Sequence, residues 1–309
     1  MSCSVLFRRP ALVVSLTAAM AALSGCSLKT AAVKTVADTL SAPGDVFSRD
    51  DDPELIRDAV PFGLKLNETL LESVPKHIPL LVTTCGAFTQ YAYAYLEADA
   101  DAFTTAERAQ ANAMRDRALN MYIRAKGYCV RGLDARFGAG TSEKLLQDPG
   151  PAIAKANKAD VPLLYWTAAS WGAAISLGLD RPELAIDFPT VRALADRALA
   201  LDETWNNGAL PELMITLDSL PEALGGNPAR ARDRFKRAVD IQKGLAPGPY
   251  LALALGVSIP AQDRAEFERL LKDALAIDPN KSPSTRLVTL LMQRRARVLL
   301  AQVDEKFSK

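Results

Sequence analysis

The chain has 309 residues, 49% of them hydrophobic, which is enough to bury the core of one large domain or two small ones. Lys and Arg number 37 against 36 Asp and Glu, so no global charge draws the protein to nucleic acid or to an anionic surface. The single histidine, His77, excludes a multi-histidine metal centre and leaves any Ser-His-Asp or Cys-His site dependent on that one residue. His77 stands between Pro75 and Pro79 and reads as a solvated turn residue.

Residues 1–25 read as an export signal, with Arg8 and Arg9 as the basic region, an apolar run from Ala11 to Ala22, and Leu23-Ser24-Gly25 before Cys26. The Leu-Ser-Gly-Cys sequence resembles the bacterial lipoprotein signal, which implies cleavage before Cys26 and a lipid on it. Ser27 in place of Asp favours the outer membrane over the inner, with the mature protein periplasmic and anchored to the bilayer only through its lipid. Residues 26–50 read as the lipidated cysteine and a flexible tether, rich in Ala, Thr and Ser, that would reach about 70 Å fully extended and about 25 Å as a coil. Residues 51–309 then form a single helical domain.

Asp52-Pro53-Glu54 starts the first domain helix, because Asp caps, Pro suits the first helical position and the acid favours the dipole. That helix runs to about Val74, with Leu55, Ala59, Phe62, Leu66 and Leu70 spaced for one buried face. Ile78 to Leu96 is free of charge, and Ala106 to Arg136 is long and charged. Residues 138–162 hold Gly138, Gly140, Pro149, Gly150, Pro151 and Pro162 and read as a connection with at most a short helix. LLYWTAASWGAAISL, 163–177, reads as a central buried helix, too diluted by small and polar residues for a membrane span. Beyond it, charged segments (189–202, 228–243, 264–278) alternate with neutral ones (205–220, 245–260), and a last helix covers 283–303 with Arg294, Arg295 and Arg297 as a solvated basic face. Cys85 and Cys129 are the thiols left after processing. A hairpin of 79–97 with 105–137 puts them about 18 Å and about 36 Å from its turn, so two buried thiols are the favoured reading and a disulfide the alternative.

No segment alternates as a strand, so the expected fold is all-α. Alternating neutral and charged helices suit a stack of antiparallel hairpins with an inner and an outer layer. Ala118, Ala198, Ala238 and Ala274 recur near the ends of charged helices, 80, 40 and 36 positions apart. Those steps approach the tetratricopeptide period of about 34, and the alternative is an irregular helical bundle. If the neutral helices line the inside, Gln90, Tyr91, Tyr95, Tyr165, Trp166, Ser170, Trp171 and Trp205 are candidate lining residues, joined by Tyr93, Thr167 and Tyr250. An uncharged aromatic and hydroxyl-rich lining suits a neutral or apolar ligand, against the competing role of each residue as ordinary core. There is no phosphate loop, paired-cysteine zinc motif or Gly-x-Ser-x-Gly elbow, and no Glu stands in an apolar setting that would raise its pKa. The chain is therefore read as a non-enzyme without metal or cofactor.

DPELIRDAVPFGLKLNETLL (52–71), FTQYAYAYLEADA (88–100), LLYWTAASWGAAISL (163–177), LADRALALDETWNNGAL (194–210) and FERLLKDALAIDP (267–279) resemble the T-component lipoproteins of TRAP transporters, as do the segments 117–133 and 229–244. The resemblance implies a tetratricopeptide-like periplasmic protein that assembles as a small ring, commonly a trimer. It also implies engagement of the transporter's solute-binding protein and a hydrophobic or amphipathic ligand. This chain departs from the family pattern at 211, where Pro replaces the family's His. The competing functional class is a tetratricopeptide-like scaffold for envelope proteins that binds no small molecule.

Overall fold

A computed structural model describes residues 29–42, 44 and 46–307. The signal peptide and Cys26 lie outside the described residues, which contain helices and turns but no strand, so the all-α expectation holds. No described helix is long and apolar enough to cross a membrane.

Part of the segment expected as a tether is ordered: residues 29–41 form a helix, α1, whose Ala37 is buried with Leu71, Val74, Leu80 and Leu81. His77, expected in solvent, holds this helix in place. Its Nδ1 accepts from the Leu80 backbone N–H at 3.1 Å, which leaves the proton on Nε2 to be donated to Asp38 at 2.8 Å. The imidazole is thus both the N-cap of the helix that follows and a clamp on α1.

Asp52 caps α2 (Pro53–Ser73) through backbone N–H groups of Glu54 and Leu55, as its sequence requires. The buried face of α2 is one position round from the expected stripe. Ile56, Leu64 and Leu71 are inside, while Leu55 is 58% and Phe62 74% exposed. Both stripes are apolar, and a shift of one residue turns a helix by about 100°, so periodicity alone could not choose between them.

Helix α3 (Ile78–Tyr91) continues through a π-helical stretch, Ala92–Glu97, to Ala100. It packs antiparallel on α4 (Arg108–Phe137). Contrary to the favoured reading, Cys85 and Cys129 are bridged, with Cα atoms 5.6 Å apart. The hairpin does not turn where the sequence suggested: Asp101 pairs with Arg115, so the first two turns of α4 run past the end of α3. From that pair, Cys85 lies about 24 Å back along one helix and Cys129 about 21 Å along the other, which brings them level.

After the short helices Thr141–Gln147 and Pro149–Ile153 come α5 (Val161–Leu177), α6 (Phe188–Leu201), α7 (Trp205–Asp218), α8 (Pro228–Ile241), α9 (Gly248–Leu253, extended by a π-helical stretch Ala254–Ser258), α10 (Arg264–Leu275) and α11 (Arg286–Ala301). Each helix from α3 onward packs on the next. Alternate helices also touch one another, α3 on α5, α5 on α7, α7 on α9 and α9 on α11.

Helix α11 closes the circuit against α2 and the π-helical stretch of α3. The basic cluster expected as a solvated face supplies much of this closure. Arg294 pairs with Glu54 at 2.5 Å. Arg295 is only 4% exposed and sits between Glu97 at 3.1 Å and Asp101 at 2.7 Å. Burial works against its charge, but Asp101 and its neighbours outweigh that cost and hold its pKa well above the usual value. Only Arg297 of the cluster is exposed. The helical array is therefore a closed ring of inner helices rather than an open solenoid.

Candidate functional site

Three side chains on three helices of that ring come close together. Tyr93 comes from the π-helical stretch of α3, Tyr165 from α5 and Glu212 from α7. All three lie deep in the protein, and Tyr165 and Tyr93 are close enough to Glu212 to feel its charge. Each nevertheless keeps part of its surface accessible, whereas Ala92, Leu164 and Pro211, the residues before them, are buried. The three partly accessible side chains border the space between the inner helices, and we refer to this space as the chamber.

The wall continues through aromatic contacts. The Tyr165 ring lies 4.8 Å from the Trp166 ring and 4.8 Å from the Trp205 ring, both half-buried. The Trp166 indole sits against the backbone of α3 at Gly86. Desolvation pushes the Tyr93 hydroxyl up to about pKa 12 and raises that of Tyr165 as well, so both stay neutral donors at physiological pH.

Local backbone geometry delivers Glu212. Asn206, Asn207 and Gly208 all have positive φ, at 46°, 56° and 81°, so α7 enters through a left-handed turn before its right-handed helix begins. Such a run costs about 1–2 kcal/mol per non-glycine residue, and Asn tolerates it better than most residues. At Gly208 a Cβ would also meet Ile241 at 2.9 Å. Because helical geometry restarts after Gly208, Pro211 falls in the first turn, where its missing N–H has no intrahelical acceptor to lose. One residue later, Glu212 lies against the start of α9 so closely that a Cβ on Gly248 would be 2.0 Å from its Oε1.

Glu212 is the charge that the sequence reading missed in a lining expected to carry none. Burial raises its pKa, and the Gln242 side-chain amide opposes this by donating to Oε2 at 2.9 Å. The amide oxygen of Gln242 is itself buried without a partner. Among the described residues no Lys, Arg or His pairs with Glu212. The signal in the sequence was one acid, Glu212, inside the otherwise neutral run from Trp205 to Leu217.

The eight candidate lining residues divide. Tyr165, Trp166 and Trp205 meet at the chamber. Tyr91 and Tyr95 pack together, 5.3 Å between centroids, at the seam with α2 and α11, where the Tyr95 hydroxyl donates to the Pro53 carbonyl at 2.9 Å and Arg57 lies over its ring. Ser170 and Trp171 face α3 and α4 instead. Ser170 is fully buried, 3.7 Å from Cys85 Sγ, and Trp171 lies beneath the Lys126 ammonium at 3.6 Å. Gln90 is exposed, with its amide turned back to the Gly86 carbonyl. On a helix buried on every side, type and spacing identify bulk but not direction.

A model of the family described as TRAP transporter T-component matches residues 49–307. An uncharacterized protein of Treponema pallidum (strain Nichols) is 27% identical over 302 residues, which span 92% of this chain and 94% of that relative. The match covers the whole ring of helices, from the start of α2 to the closure by α11, and the chain belongs to the TRAP transporter T-component family.

Proposed function

We propose that this protein is a lipid-anchored periplasmic accessory of a TRAP-type transport system, tethered through Cys26 to the outer membrane, that docks a solute-binding protein and holds a small hydrophobic or amphipathic ligand in its chamber. The observation that supports this reading is the chamber itself. A scaffold built only for protein contacts has no use for deep aromatic side chains left partly uncovered at the centre of a closed ring, because filling that space would stabilise the fold. The helical hairpins are then degenerate tetratricopeptide-like repeats, and a trimer would set three such chambers side by side.

The scaffold alternative draws on a different feature, the uncovered stripe of Leu55, Ala59 and Phe62 on α2, since protein docking needs no cavity. Affinity capture with the full-length protein, followed by mass spectrometry of bound proteins and of extracted small molecules, separates the two. The transport reading expects a solute-binding protein and a retained compound; recovery of assembly or secretion proteins with no compound would replace it with the scaffold.

A further inference from the structure

The chamber combines aromatic walls with one carboxyl group that the protein leaves without a counter-charge. Among the described residues, the charged side chains buried outright, Asp160, Asp218 and Arg295, are each matched by an opposite charge. Asp218 is fully buried among Arg192, Arg230 and Arg234, and Arg295 is held by Glu97 and Asp101. Glu212 has one neutral partner, Gln242. Arg295, a buried cation, lies over the Tyr93 ring at 5.0 Å and is already neutralised by its own two acids.

The surrounding groups are also those that favour positive charge. Tyr165 and Trp205 present tilted rings 4.8 Å apart, and ring faces attract cations. The Tyr93 and Tyr165 hydroxyls have no hydrogen-bond partner among the described residues, so each has free lone pairs. We infer that the chamber receives the charged end of an organic ammonium ion, with Glu212 as the counter-charge and Tyr93, Tyr165 and Trp205 as the groups around it.

This rests on the reading that the chamber binds a ligand, and it names the ligand's chemistry. An ammonium ion brings the charge the site lacks and lets the carboxylate stay ionised in a poorly solvated space. A neutral molecule of the same shape leaves the carboxyl group's burial uncompensated, and a carboxylate adds a second negative charge beside it. The rest of an amphipathic amine would lie along Trp166 and the apolar wall.

Phenethylamine, phenethyl alcohol and phenylacetate share a shape and differ in charge. They can be titrated into the full-length protein by following tryptophan emission, since two of its three tryptophans, Trp166 and Trp205, wall the chamber. The expected order is the amine at least tenfold tighter than the alcohol, and phenylacetate weakest. In Glu212→Gln the amine's advantage over the alcohol should fall to within twofold. Equal affinities for amine and alcohol, or tightest binding of phenylacetate, would overturn the ammonium assignment while leaving a ligand chamber in place. Failure of all three to bind would remove the ligand reading as well. Should Glu212→Gln not fold, the order of the three probes on the unaltered protein decides.

Discussion

Two carboxylates stand less than two turns apart on α7, and the protein treats them in opposite ways. Asp218, at the C-terminal end, is fully buried and met by guanidinium groups from α6 and α8, with Arg230 Nε at 2.7 Å, Arg234 Nε at 3.7 Å and Arg192 in close contact. Glu212, near the N-terminal end, is deep, has a neutral amide for company and has its pKa raised by burial. A buried charge with matched partners ties helices together, whereas one without them is a cost that the fold carries for another purpose. The contrast marks the α6–α7–α8 seam as structural and supports the binding role proposed for the inner end of α7.

Substitutions can break or sharpen that contrast. Asp218→Ala leaves three guanidinium groups converging on an empty site and should cost about 3–5 kcal/mol, read by denaturant unfolding. Removing the disulfide with Cys85→Ser and Cys129→Ser frees a 44-residue separation in the unfolded chain and should cost about 4 kcal/mol by loop entropy.

The two tryptophans of α5 extend the comparison. Trp171→Ala, in the core against α4, should cost about 3–5 kcal/mol, while Trp166→Ala, half-buried at the chamber, should cost about 1–2 kcal/mol and weaken ligand binding. Equal losses of stability would place both residues in ordinary core.

Glu212→Gln should have the smallest effect and the opposite sign, a gain of about 1 kcal/mol at pH 7 from removing one poorly matched buried group. Its sign follows from the raised pKa. The unfolded chain ionises this carboxyl near its ordinary value of 4.5 and the folded protein only at higher pH, so the native protein loses stability as pH rises from 4.5 through the folded value. The variant lacks that loss, so its advantage should be present at pH 7 and fade as pH falls toward 4.5. An advantage that does not change with pH would show that Glu212 is not a strained acid.

Much of the architecture was legible because it depends on periodicity and on caps. Asp52-Pro53 placed the start of α2, and the lack of any strand-like alternation placed the chain among all-α folds. What periodicity could not supply was direction. Phe62 and Leu64 are equally apolar, and only packing against α3 decides which turns inward. Trp166 and Trp171 lie on one uncharged helix, and only the positions of α3, α4 and α7 assign one to the chamber and the other to the core. The disulfide was missed because the turn between α3 and α4 was placed too early, an error that a pairing between Asp101 and Arg115 corrects. Closure of the ring was missed for a related reason, since Arg294 and Arg295 read as a solvated face until their partners, 194 or more positions earlier, come into view. Glu212 was visible as a letter but not as a site, because its exceptional setting is built from four different helices.

The central claim is that the middle of the ring is a binding chamber rather than packed core. A crystal of the protein soaked with phenethylamine tests it most directly. The account predicts density for the amine between Tyr93, Tyr165 and Trp205, with its nitrogen within hydrogen-bond distance of Glu212. Density confined to the protein's surface, with those side chains closed over an occupied core, would contradict it.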